Sequence, residues 1–331
     1  MSPVPRPGFD RRLLAPGPSQ RVVLVHRLLA AAIAFRLLER PWWRSAHRPA
    51  ELFDPVWVIG WLPGQPPLAL LVALQALGVA AGIAAAARLA PRLTFPIAWA
   101  CLVFVAAVWG SSGKVMHNEV LLVTAAVPLL VADLPRRHEA PTVSTRWGWP
   151  PRAAAVALGA VYLATGVQKL RHSGLRWVFS DNMAWVVRQG TSPFGRDLNL
   201  WLGRHEVVLA AVAGGALAFE LGAPLLLWFR RTRLLVPVIS LTMHGSIWLL
   251  LGLNYSPWVL TAAAVSIPLA LHWSPPVDGR PGARHLDLPW RLAPADDEPV
   301  AADASPDLDV SAAGDVPPPA TSRQATAPPV T

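Results

Sequence analysis

Residues 67–88 read PLALLVALQALGVAAGIAAAAR, and this run decides the fold class. At 1.5 Å of rise per residue, an apolar stretch of this length covers a bilayer's hydrocarbon core of about 30 Å. Runs of the same kind recur at about 21–39, 93–112, 115–133, 152–170, 206–229, 234–253 and 256–273. The chain is 53% hydrophobic and 15% charged, with a mean hydropathy of +0.39. That composition is too apolar for a soluble domain of 331 residues. It predicts an all-α, multi-pass transmembrane helical bundle of about eight spans. The net charge of +9 therefore says little about nucleic acid, and none is expected as a partner. Gly78 and Gly82, four apart in the quoted run, are a helix-packing signal.

The charges give the layout. Arg6, Arg11, Arg12 and Arg21 precede the first span, and Arg88 and Arg92 join the second and third. Arg136, Arg137, Arg146 and Arg152 join the fourth and fifth, and Arg230, Arg231 and Arg233 join the sixth and seventh. By the positive-inside rule these segments are cytoplasmic, which places both termini inside the cell membrane. Residues 1–19 read as a flexible N-terminus with no convincing signal peptide, because His26, Arg27 and Arg36 interrupt the following apolar stretch and no cleavage site follows. Residues 1–274 carry 25 basic and 11 acidic side chains, against 4 and 9 in 275–331. Residues 274–331, rich in Pro, Ala and Asp, read as a disordered tail. The lone Cys101 allows no intrachain disulfide.

Two outer loops are long. Residues 40–66 hold Trp42, Trp43, Trp57 and Trp61, expected as interfacial aromatics. Residues 171–205 contain SDNMAWVVRQG, read as a short interfacial helix capped by Ser180 or Asp181 and stopped at Gly190. GRDLNLWLGRHE reads as another.

Against 27 arginines there are two lysines, Lys114 and Lys169, both at rims of apolar runs. Lysine differs usefully from arginine in that burial lowers its pKa into the range of a base. The plain alternative is a snorkelling anchor. Ionisable groups in membrane spans are costly and mark functional candidates. Lys114, His117 and Asn118 stand at helical spacing, with Thr124 continuing their face. Tyr162, Thr165 and Lys169 form a second stripe beside Gln168. Glu220 and His244 sit inside later spans, and Asn254 and Tyr255 close the seventh. Glu220 has a structural alternative, an ion pair with Arg27 or Arg36. A metal on His117, His244 and Glu220 has no local spacing behind it, so none is expected. No Walker loop, G-x-S-x-G elbow or strand-linked GxGxxG occurs.

An outer-facing "HN" opening a span, a "GVQKL" closing the next, a mid-membrane Glu and an "HG" beyond it resemble the HTTM domain, over roughly residues 20–273. This is the membrane domain of vitamin K-dependent gamma-carboxylases and of many bacterial proteins. The resemblance implies that Lys169 is the base acting on a hydroquinone, that His117 matches the histidine tied to carboxylation, and that His244 lines the quinone site. With Asn118, Tyr162, Glu220 and Asn254 as binding residues, it implies a reduced isoprenoid quinone of vitamin K or menaquinone type as cofactor. The carboxylases carry a large, mostly β, lumenal domain as well. Here a polar stretch follows Trp273, so carboxylation of protein glutamates is not expected. The alternative function is a non-catalytic lipid- or quinone-binding or assembly subunit. A transporter is disfavoured, since no inverted repeat is apparent.

Overall fold

The computed structural model describes residues 9–112, 117–137, 139–273 and 284–286. Lys114 and most of the expected tail lie outside them. The helices are α1 (Phe9–Leu13), α2 (Ser19–Glu39), α3 (Leu68–Ala86), α4 (Pro91–Gly110), α5 (Val120–Leu130) and α6 (Thr145–Ser173). They continue with α7 (Arg176–Phe179), α8 (Asn182–Arg188), α9 (Arg196–Leu202), α10 (Glu206–Trp228), α11 (Leu235–Leu251) and α12 (Ser256–Ala270). Strand structure among the described residues is confined to two short antiparallel ribbons. β1 (Gly17–Pro18) pairs with β2 (Val143–Ser144), and β3 (Leu271–Trp273) pairs with β4 (Arg284–Leu286).

Five helices are long and apolar enough to cross a membrane: α3, α4, α6, α10, and α11 with the turn before it. Their outer faces stay apolar, with Leu77, Ile83, Val156, Val212, Val238 and Leu241 all exposed. A surface of that kind suits lipid rather than water. Helix α2 has the length but carries Arg21, Arg27, Arg36 and Glu39. Helices α5 and α12 are apolar but short, at 11 and 15 residues.

Helix α2 is the centre of the packing. Val22, Val25, Leu29, Ala30, Ile33 and Leu37 are all fully buried, and α3, α4, α5, α6 and α12 pack on it. The Gly78/Gly82 pair earns its place there. A Cβ on Gly82 would stand 2.9 Å from Ala34 Cβ, and one on Gly78 would stand 2.6 Å from Leu37 Cδ1 and 2.8 Å from Cys101 Cβ. Only glycine lets α3 sit this close to both neighbours.

Several local expectations change. Residues 117–119 form a turn, and α5 starts at Val120, so His117 and Asn118 do not share a helical face. Thr124 bonds back to Val120 O at 2.7 Å rather than extending that face. Trp42, expected at the interface, is fully buried, with its Nε1 donating to Arg36 O at 3.2 Å. Trp57 and Trp61 are 90% and 71% exposed, as interfacial rings should be. Helices α8 and α9 form where the sequence predicts short helices. Helix α8 ends at Arg188, just before Gly190, where a Cβ would also meet Leu250 O at 2.3 Å.

The arginines hold the helix ends. A helix leaves its last four carbonyls without intrahelical donors. Arg27 donates to Ala86 O of α3 at 2.9 Å. Arg48 Nη1 spans Trp109 O of α4 and Ser112 O. Arg21 reaches Pro268 O and Leu271 O, at and just beyond the end of α12. Arg233 joins two helices, with Nε on Leu227 O of α10 at 2.8 Å and Nη1 on Leu269 O of α12 at 2.9 Å. Lysine lacks this planar fork of donors. Arg233→Lys should therefore lower stability by about 1–3 kcal/mol, read as the thermal midpoint in detergent, while the exposed Arg231→Lys should leave it unchanged. Equal midpoints for the two would remove the clamp from the account.

Candidate functional site

Lys169 leans inward. A helical Cα–Cβ bond tilts toward the helix N-terminus, so its side chain runs back along α6 instead of out past Ser173. Its Nζ meets Glu220 Oε1 of α10 at 2.5 Å and lies 5.0 Å from the centre of the Trp177 ring. Two glycines, seven residues apart on α6, make this reach short enough. A Cβ on Gly159 would stand 3.3 Å from Pro224 Cα, and one on Gly166 would stand 2.9 Å from Leu221 Cδ2 and 3.1 Å from Glu220 Cβ. Glu220 is buried, and its second oxygen, Oε2, has no hydrogen-bond partner among the described residues. The ion-pair alternative for Glu220 thus takes a different partner from the two expected: Arg27 is spent on α3 and Arg36 elsewhere.

Beside this pair stands an aromatic cluster. Tyr162, fully buried, shares a hydrogen bond with Ser240 Oγ at 2.9 Å. Its ring meets Phe219 at 4.9 Å and Trp258 at 5.2 Å, both edge-on. His244 stacks on Tyr255 at 5.2 Å with 23° between planes, and lies 5.3 Å from Trp258 and 6.4 Å from Tyr162. His244 is 5% exposed, and neither ring nitrogen has a hydrogen-bond partner among the described residues. Native proteins rarely leave such a group unmatched, because each unmet polar atom costs about 1–3 kcal/mol. His117 reaches the same cluster, 6.3 Å from both Tyr255 and Trp258.

A polar network closes that end of the bundle. Arg36 donates to Glu119 Oε1 through Nε at 3.1 Å and Nη2 at 2.5 Å, and also pairs with Glu39 at 3.3 Å. Arg40 approaches Glu119 at 3.4 Å. Asn254 donates to Glu39 and accepts from Ser256 N at 2.8 Å, which starts α12. Asn118 Nδ2 donates to Asn254 O at 2.8 Å. Glu119 is the main residue that the sequence left unassigned, and Arg36 was weighed only as a partner of Glu220. The signal was present, since Glu119 directly follows the "HN" pair.

Between α2, α11 and α12 lies a cleft of about 720 Å³. Leu28, Phe35, Leu241, Trp248 and Leu260 line it and are exposed at the bundle surface, so it opens sideways. Its polar lining includes Glu39, His244, Asn254 and Tyr255. The structure thus brings Lys169 to Glu220, joins Tyr162, His117 and His244 through one aromatic cluster, and puts Asn254 against Asn118. Lys169, Glu220 and His117 are not among the residues lining the cleft. No three His, Cys, Asp or Glu side chains among the described residues group as a metal site would.

Compared with known proteins, the chain matches no family model, no curated protein and no solved structure.

Removing one partner of a buried ion pair strands the other. Lys169→Met should cost about 2–3 kcal/mol of stability, less than the full buried-pair penalty because Lys169 is partly exposed. Lys169→Met/Glu220→Leu should recover most of that loss in a thermal melt. A double variant no more stable than the single one would show that the pair is not what holds α6 to α10.

Proposed function

We propose that the chain is a membrane-embedded domain of HTTM type, with eight spans and both termini on the cytoplasmic side of the plasma membrane, that takes a reduced isoprenoid quinone from the bilayer into the α2–α11–α12 cleft. The observation that carries this reading is His244, a buried imidazole with two unpartnered nitrogens on an apolar cleft open to the side. A ligand for such a site has to be soluble in lipid, flat enough to lie along Tyr255 and Trp248, and able to hydrogen-bond an imidazole. Hydroquinone-type lipids meet all three requirements.

The eight-span count adds α2, α5 and α12 to the five long apolar helices. The charges of α2 are met internally by Glu119 and by helix-end carbonyls, which is the condition for placing them in a membrane.

When bound, the ring supplies two ionisable hydroxyls and a two-electron couple. The protein's part is to hold the ring, exclude water and manage a proton. His244 would accept a hydroxyl hydrogen bond at an unprotonated nitrogen, with the stacked Tyr255 ring fixing the imidazole plane. Glu220, bonded to Lys169, is the carboxylate that would relay a proton to or from the amine. The resemblance assigns Lys169 as the base, and this handover is the route by which it would act. A second reading, a quinone- or lipid-binding subunit without catalysis, is favoured by the absence of Lys169 from the cleft lining.

The test is menaquinone retention by protein reconstituted in nanodiscs. Ala263 lines the cleft, and Ala263→Phe should fill it. Loss of a single ligand hydrogen bond in His244→Leu should weaken retention about tenfold, with Lys169→Arg retaining the ligand. Hydroquinone oxidation then separates the readings: loss in Lys169→Arg alone supports the base, and no turnover in wild type supports the binding subunit. Equal retention in wild type, Ala263→Phe and His244→Leu would overturn the cleft assignment.

A further inference from the structure

At the opposite end of the bundle from Glu119, the α3–α4 turn and the segment after α5 enclose a pocket of about 930 Å³. Arg88, Arg92, Arg136, Arg137 and Arg146 line it, with Glu139 as the acidic group among the lining residues. Asp133 bridges Arg92 at 2.7 Å and Arg146 at 3.0 Å, which aligns two guanidinium groups with one carboxylate. Glu139 accepts from the Arg136 backbone at 2.8 Å. Arg136 and Arg137 are exposed, and their guanidinium groups make no ion pair with any described residue. The positive charge of the pocket is therefore undercompensated.

Three further features point to what it holds. Arg88 and Ala90 both adopt the left-handed region, at φ 62° and 43°, a conformation that costs non-glycine residues energy. That tight turn, tied down by Arg88 donating to Pro135 O, sets Arg88 and Arg92 beside the segment after α5. The pocket also meets the N-terminus of the twenty-residue α4, the positive end of its dipole. Finally, Leu89, Leu93 and Val131 around it are exposed by 53%, 63% and 77%, so apolar surface begins where the arginines stop. A soluble anion has no use for that apolar surround, whereas a lipid carries its phosphate and its acyl chains together.

We propose that this pocket is a phosphate-binding site that takes the headgroup of an anionic phospholipid. Guanidinium forks match phosphate oxygens in pairs, and the adjacent leucines lie against the acyl chains.

The test uses full-length protein in zwitterionic detergent, with lipid retention read by native mass spectrometry. The probes are phosphatidylglycerol, phosphatidylcholine and inorganic phosphate. The variant is Arg136→Gln/Arg137→Gln, chosen because neither side chain supports the fold, and Arg11→Gln/Arg231→Gln removes the same charge elsewhere at that end. Thermal melts of both confirm folding. Wild type and the control should retain phosphatidylglycerol over phosphatidylcholine, with the pocket variant about thirtyfold weaker, as expected for two arginines at a lipid surface. Equal losses in both variants, or no loss in either, would overturn the site. Binding of inorganic phosphate with no preference for phosphatidylglycerol would overturn the lipid assignment and leave a free-anion site.

Discussion

A helix leaves its last four carbonyls without intrahelical donors, and the ends of this bundle are organised by that constraint. Other segments supply the missing donors. Gln75 of α3 caps α2 by donating to Leu37 O at 2.7 Å and Arg40 O at 3.0 Å. Asn199 and Thr191 serve Leu250 O and Leu251 O of α11. Arg27, Arg48, Arg21 and Arg233 serve α3, α4 and α12, Arg233 serving α10 as well. Each cap is also a tie between segments, so one bond both completes a helix and fixes its neighbour. A fork of five donors suits this task better than a single ammonium, which gives physical content to a cationic repertoire made almost wholly of arginine.

The two carboxylates buried among the described residues each meet a cation. Glu119 meets Arg36, and Glu220 meets Lys169. The first is well matched, taking two donors from one guanidinium with Arg40 alongside. The second is not, since Glu220 Oε2 stays without a partner. His244 has both ring nitrogens unmatched among the described residues. It lies within the aromatic cluster and lines the lateral cleft. The Arg36–Glu119 contact is structural.

Much of the architecture was legible in the sequence because apolar runs of membrane length have few other uses. The ends were less so. Helix α6 begins at Thr145, seven residues before the apolar run, because Ser144 caps it by accepting from Arg146 N, and TRWGWPP carries no hydropathy signal. The turn at 117–119 hid for the opposite reason: its spacing looked helical, but Asn118 and Glu119 reach across to Asn254 and Arg36 instead. Lys169 and Glu220 were each singled out by type and position. Their pairing was not visible, because it depends on Gly159 and Gly166 bringing α6 and α10 together, a distance that sequence spacing does not encode. Trp258 and Ser240 were missed entirely, being ordinary residues until the fold sets them beside Tyr162.

Entry of a lipid-soluble ring between α2, α11 and α12, to rest at His244, is the step on which the proposed function turns. It can be tested with a photoreactive menaquinone analogue, crosslinked to reconstituted protein and mapped by peptide mass spectrometry. Adducts should concentrate on cleft residues such as Phe35, Trp248 and Leu260 and be competed away by unmodified menaquinone. Adducts spread evenly over the lipid-facing surface, with Leu77 and Val156 labelled as heavily as the cleft, would contradict it.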